Sequence, residues 1–247
     1  MQLRDGPAPQ FGCRGRIGLV VPANNSVIEP EFWSVLPHDT ALYATRLLAQ
    51  GDLTPAAVRS MEAGMDRAVG ELAATGVDVV LLADMVTSFI MEPGWNDRRT
   101  AAVTAATGAA CASAWTALRD ALTVLGVRRI ALGTPYPAAI HALAPAFFAD
   151  AGITVVGHAT LDILAMRDVP EVRPKRLAAF TGTIGRKGAE ALVLLATDLA
   201  SFTAIPALEQ AVGLPVVTSN QALLWRALRL VGNQTRIPSL GQLLATH

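Results

Sequence analysis

Two aspartates stand where apolar runs stop. In "DVVLLADMVTSF" (78–89) five apolar residues lead directly into Asp84. In "GAEALVLLATD" (188–198) a similar Gly-led run closes on Asp198. A carboxyl at the tip of an apolar strand is poorly solvated, which raises its pKa toward neutrality. Such a group is a competent general base or acid near pH 7. Two of them with split pKa values, facing one substrate, form an acid–base pair. Against an anionic substrate at least one should keep its proton at rest, because two charged carboxylates would repel it. The matching reactions move a proton beside a carboxyl group: isomerisation, racemisation, hydration or decarboxylation of a small acid. Structural roles fit the same residues. Asp84 can anchor the N–H groups before Thr87 and Ser88, and Asp198 can cap a following helix.

Other chemistries have less behind them. Cys13 and Cys111 offer neither a disulfide framework nor metal-ligand spacing. His38, His141, His158 and His247 lie apart from one another in sequence and from both cysteines, so no zinc site is expected. Lys and Arg total 20, as do Asp and Glu, which leaves no basic surplus to neutralise phosphates and argues against a nucleic-acid partner. No apolar run approaches the ~20 residues of a membrane span. The opening "MQLRDGPAPQFGCRG" lacks the apolar core of a signal peptide and reads as a disordered lead over 1–15. With two cysteines and no targeting signal, a reducing cytoplasm is the expected compartment.

The two acids need a scaffold, and the chain has the material for one. Of 247 residues, 52% are hydrophobic and only 16% charged, enough to bury a large core. Apolar runs at 16–22, 41–48, 77–83, 128–135, 153–158, 189–197 and 214–219 read as strands. Between them, "TPAAVRSMEAGMDRAVGELAATG" (54–76) carries Thr54 as N-cap, Pro55 at the first helical position and Gly76 as a stop. Helices are also expected near 98–107, 113–125, 137–152, 172–188, 204–213 and 220–232, with a short segment at "AACAS". Strands alternating with helices imply an α/β protein with parallel sheets covered on both faces. The echo between "GVDVVLLAD" and "GAEALVLLATD" suggests two similar lobes. The expected division is 16–120 plus 219–247, with a returning C-terminal helix, and 121–218. Ligands bind such sheets at the carboxyl ends of their strands. Those ends here are "PANNS", "ADMVTS", "GTPY", "ATDLAS" and "TSNQ", rich in small hydroxyl and amide groups.

From about Arg16 onward the chain resembles the maleate isomerase and arylmalonate decarboxylase branch of the aspartate/glutamate racemase superfamily. "RIGLVVPANNSVIEPEF" resembles the opening of the maleate isomerases, with Asn25 and Ser26 on their carboxylate-binding step. "ATGAACASAWTALRDALTVLGVRRIALGTPY" resembles the middle segment of both groups, with Thr134 and Tyr136 on a motif that touches substrate. "TAIPALEQAVGLPVVTSNQALLWRAL" resembles their closing segment. The resemblance implies two facing pseudo-symmetric lobes with the active site in the cleft between them, no cofactor or metal, and a homodimer or homotetramer. Strand tips and resemblance together nominate Asn25, Ser26, Met85, Val86, Thr134, Tyr136, Thr197 and Asn220 as substrate-binding residues.

The family places one cysteine at a strand tip in each lobe, and this sequence departs at both. The first falls on Asp84 and the second on Ala196, two residues before Asp198. Cys111 matches a position outside that pair, and Cys13 precedes the first strand. The expectation is therefore an isomerase or lyase that uses Asp84 and Asp198 in place of thiols. The alternative is a homologue that binds a small carboxylate without turning it over, as a sensor or regulator. Fold alone does not separate the two.

Overall fold

Apolar runs become short buried strands, and the segments between them become helices that cover both sheet faces. The computed structural model describes residues 10–247. The first half runs β1 (Gly15–Pro22), α1 (Ile28–Trp33), β2 (Thr40–Leu47), α2 (Pro55–Glu62), α3 (Met65–Thr75), β3 (Val79–Leu82), α4 (Thr87–Ile90), α5 (Trp95–Thr107), β4 (Ala110–Ser113) and α6 (Ala114–Val124). The second runs β5 (Arg129–Thr134), α7 (Ala138–His141), α8 (Ala144–Asp150), β6 (Thr154–Thr160), α9 (Pro174–Thr183), β7 (Ala191–Leu194), α10 (Ile205–Val212), β8 (Val216–Thr218), α11 (Ser219–Leu230) and α12 (Gly241–Thr246).

Each lobe holds one four-stranded sheet, and the two share a strand order: β2-β1-β3-β4 and β6-β5-β7-β8. Every ladder between named strands is parallel. The central strands β3 and β7 are buried at every position, as parallel strands covered on both faces must be. They occupy equivalent places, so the sequence echo corresponds to a structural one. Helix α11 crosses back to pack on α6, β3 and β4 of the first sheet. Its start is fixed by a capping box between Thr218 and Gln221.

Several elements differ from expectation, each for a local reason. The single helix expected over 54–76 is two, α2 and α3, parted at Gly64, where an added Cβ would meet Leu47 Cδ2 at 3.3 Å. The helix expected over 137–152 is also two, with Pro145 in the first turn of α8, where its missing N–H is tolerated. The helix expected to reach Gly188 stops at Thr183. Beyond it the backbone passes so close to β6 that a Cβ on Gly157 would sit 2.0 Å from Gly185 O. The segment "AACAS" is strand β4. Strand β7 ends at Leu194, three residues early, because Ala196 turns out of the sheet with φ 96°. Of the expected disordered lead, residues 1–9 lie outside the described residues. The remainder turns into β1, which begins at Gly15, with Arg14 N donating to Asp39 O at 3.0 Å.

Candidate active site

Each lobe delivers one acid to the cleft between the sheets. Asp84 lies two residues beyond the last residue of β3. Its Oδ2 accepts from Thr87 N at 3.1 Å and from the Thr87 hydroxyl, so it also anchors the start of α4. Burial raises its pKa, opposed by these donors and by the Val86 N–H. Asp198 lies four residues beyond β7. The chain reaches it through Ala196, in a left-handed region that a β-carbon disfavours. Ala196 N donates to Ser219 Oγ at 3.2 Å, which holds the turn. Burial and then the charge of Asp84 push the Asp198 carboxyl up to about 7, against its own backbone N–H and Asn24. The Asn24 amide reaches Asp198 Oδ2 at a long 3.4 Å.

The two tips are tied to each other beside the acids. Thr197 Oγ1 donates to Ala83 O at 2.8 Å across the lobes and accepts from Asn25 Nδ2 at 3.1 Å. Farther along, the Glu31 carboxylate accepts from Ser201 N at 2.5 Å, Phe202 N at 2.8 Å and Asn220 Nδ2 at 2.7 Å, pinning the segment after Asp198 to α1. Burial raises the Glu31 pKa, and these three donors oppose the rise. Tyr136, just past β5, carries a buried hydroxyl with no partner. Burial and the charges of Asp84 and Asp198 raise its pKa, so the phenol stays a donor.

The remaining walls are apolar: Pro22, Ala49, Leu53, Ala57, Val58, Met61, Val86, Ile163, Met166 and Val169. With Asn24, Asp84, Tyr136, Thr197 and Asp198 they enclose an empty volume of about 530 Å³, open mouth included. A strap lies over this cleft where 51–53 pairs with 164–166. Leu53 N donates to Leu164 O at 2.8 Å and Met166 N to Gly51 O at 3.1 Å. Behind Asp84 stands a third acid, Glu62, on α2. Burial lifts it to about 7, Arg99 opposes the rise, and the Asp84 charge adds to it. Arg99 Nε lies 3.0 Å from the Glu62 carboxylate.

Asp84, Val86, Tyr136, Thr197 and Asp198 thus meet in one cleft. The other nominated residues do not line it. Asn25 is buried, caps α1 by accepting from Val27 N and Ile28 N, and supports Thr197. Ser26 is exposed, and Met85 is in the core. Thr134 is fully buried, with its hydroxyl 2.9 Å from His141 Nδ1. Asn220 holds Glu31 and Thr197 O. Sequence reasoning missed Asn24, Glu31 and Glu62. A doubled Asn in "PANNS" was the only signal for the first. Cys111 does not line the cleft, and burial pushes its thiol up to about 12. Among the described residues no group of three or more His, Cys, Asp and Glu is placed to hold a metal ion, and no helix is long and apolar enough to cross a membrane.

A family model described as arylmalonate decarboxylase matches residues 17–244. The maleate isomerase of Geobacillus stearothermophilus is 28% identical over 93% of this chain and 97% of its own. The arylmalonate decarboxylase of Bordetella bronchiseptica is 30% identical over 92% of this chain and 95% of its own. Among solved structures, a Nocardia farcinica maleate cis-trans isomerase variant with a covalently bound succinylcysteine intermediate superposes with a TM-score of 0.89. It is 28% identical and covers 94% of this chain and 99% of that one.

Proposed function

The chain belongs to the arylmalonate decarboxylase family, and from that premise we propose a cofactor-independent isomerase or decarboxylase of a small carboxylic acid, working by proton transfer between Asp84 and Asp198. One observation carries the reading: two carboxyls from the tips of equivalent strands line one apolar cleft. Their surroundings divide the labour. The Asp84 anion has three donors, while Asp198 has a long contact from Asn24 and its own backbone N–H. On this difference in donors Asp84 is assigned the base and Asp198 the acid.

In isomerisation Asp84 takes the proton from the carbon next to a carboxyl group. The electron pair passes into that carboxyl as an enediolate, and Asp198 returns a proton from the other lobe. In decarboxylation the bond to the departing carboxylate breaks, its pair forms the same enediolate, and one of the two acids protonates the carbon. The Tyr136 phenol is the donor for the enediolate oxygen, where preorganised hydrogen bonds act most strongly. The apparent pKa values of such a pair belong to both groups together.

The test is deuterium exchange into malonates and 2-substituted acids, and conversion of maleate, with wild type beside Asp84→Asn. Exchange that the substitution abolishes supports the enzyme. Binding without exchange across the panel moves the assignment to a carboxylate-binding protein that has lost catalysis.

A further inference from the structure

We propose that the cleft prefers an acid derivative with no more than one negative charge and an N–H donor near the reacting carbon, such as a monoamide, over a dicarboxylate. This rests on the cleft being the active site. No Lys, Arg or His lines it. Guanidinium groups on neighbouring elements are engaged elsewhere, Arg59 with Ile90 O. Arg99 pairs with Glu62 and Asp66, and Arg46 with Glu29 and Asn25 O. Two acids line the cleft, and Glu62 behind Asp84 already takes up the charge of Arg99. A second carboxylate would meet the Asp84 charge with no cationic side chain lining the cleft to offset it.

The hydrogen-bonding groups point the same way. The Asn24 amide nitrogen faces Met166 O and Asp198 Oδ2, which fixes the side-chain flip and leaves Oδ1 as a buried acceptor without a partner. The Thr197 hydroxyl is spent on Ala83 O. Among the described residues, Tyr136 OH is a buried, unpartnered donor lining the cleft, beside the proton assigned to Asp198. An N–H satisfies the Asn24 oxygen, whereas a carboxylate oxygen placed there leaves it unpaired and adds lone-pair repulsion. A ligand carrying one acyl oxygen for Tyr136 and one N–H for Asn24 matches both atoms.

Matched pairs test this: maleate against maleamate, and phenylmalonate against its monoamide, by calorimetry on the wild-type protein at pH 7. Each monoamide is expected to bind about tenfold tighter than its diacid, the effect of satisfying one buried acceptor. In Asn24→Leu that preference should shrink below about threefold. Diacids binding as tightly as monoamides, or an undiminished preference in Asn24→Leu, overturn the inference. Deuterium exchange separates that failure from a failure of the proposed function. Diacids that bind better and still exchange through Asp84 remove only the charge preference. If no member of either pair binds, the cleft is not the substrate site and both readings fall.

Discussion

The tips of β3 and β7 begin as copies and end differently. Both strands are four residues long, fully buried, and flanked by the same neighbours in their sheets. Two residues beyond the first lies Asp84; two residues beyond the second lies Ala196. The first tip holds its acid with donors from its own following turn. The second has no reactive side chain at the matching place and supplies its acid two residues later, through a left-handed alanine. Among the described residues, Asp198 then takes its only side-chain hydrogen bond from Asn24 on the opposite lobe. A locally braced carboxylate suits a base that must stay charged. A carboxyl that depends on a long contact from elsewhere suits an acid that keeps its proton. Similar scaffolds thus brace their acids differently.

The contrast can be broken in four ways. Asp84→Asn should lower exchange roughly 10²–10⁴-fold, the usual weight of a positioned acid or base. Asp198→Asn should lower it about 10²-fold and remove the fall in rate above about pH 7, where wild-type Asp198 loses its proton. Equal losses with unchanged pH profiles would mean the acids are interchangeable. Next, Ala196→Gly should leave stability unchanged or raise it by up to about 1 kcal/mol, because relief of backbone strain outweighs the added chain entropy and lost methyl burial. Ala83→Gly, in ordinary backbone at the other tip, should cost roughly 1–2 kcal/mol. Denaturant unfolding of the two variants gives both numbers, and similar losses would remove the strain from the account. The fourth is the pH dependence of stability. Asp198 moves from an ordinary 3.8 to about 7, so the folded state holds an extra proton inside that window. That contribution is full below pH 4 and is lost as pH rises through about 7. The melting temperature of Asp198→Asn should therefore fall less steeply between pH 4 and 7 than that of wild type.

Much of this was legible in the sequence because parallel strands advertise themselves. A run such as "VVLLA" has to be buried, and its abrupt end at Asp84 marks a tip. The likeness of the two lobes was visible as an echo for the same reason. What failed to show depends on distant partners. Glu31 looks like an ordinary first-turn acid of α1, yet its oxygens meet backbone N–H groups 170 and 171 residues away. In "PANNS" either Asn fits a ligand site. The turn after Pro22 sends Asn25 inward as a cap and leaves Asn24 on the cleft. Alanine is not a residue type from which a positive φ would be inferred, so the detour at Ala196 left no trace in composition. The early end of α9 is set by β6, which the local pattern of 172–188 does not contain.

The Thr197 bridge to Ala83 works like the rivet of a calliper. It joins the tips one residue from each acid, so the gauge between Asp84 and Asp198 is set by a joint separate from the strap at 51–53 and 164–166. Room for larger or smaller substrates has to come from the apolar wall. Libraries built at Leu53, Val58, Ile163 and Val169 would then retune which acids are accepted, while changes at Asn25 or Thr197 would alter the reach of the proton transfer itself.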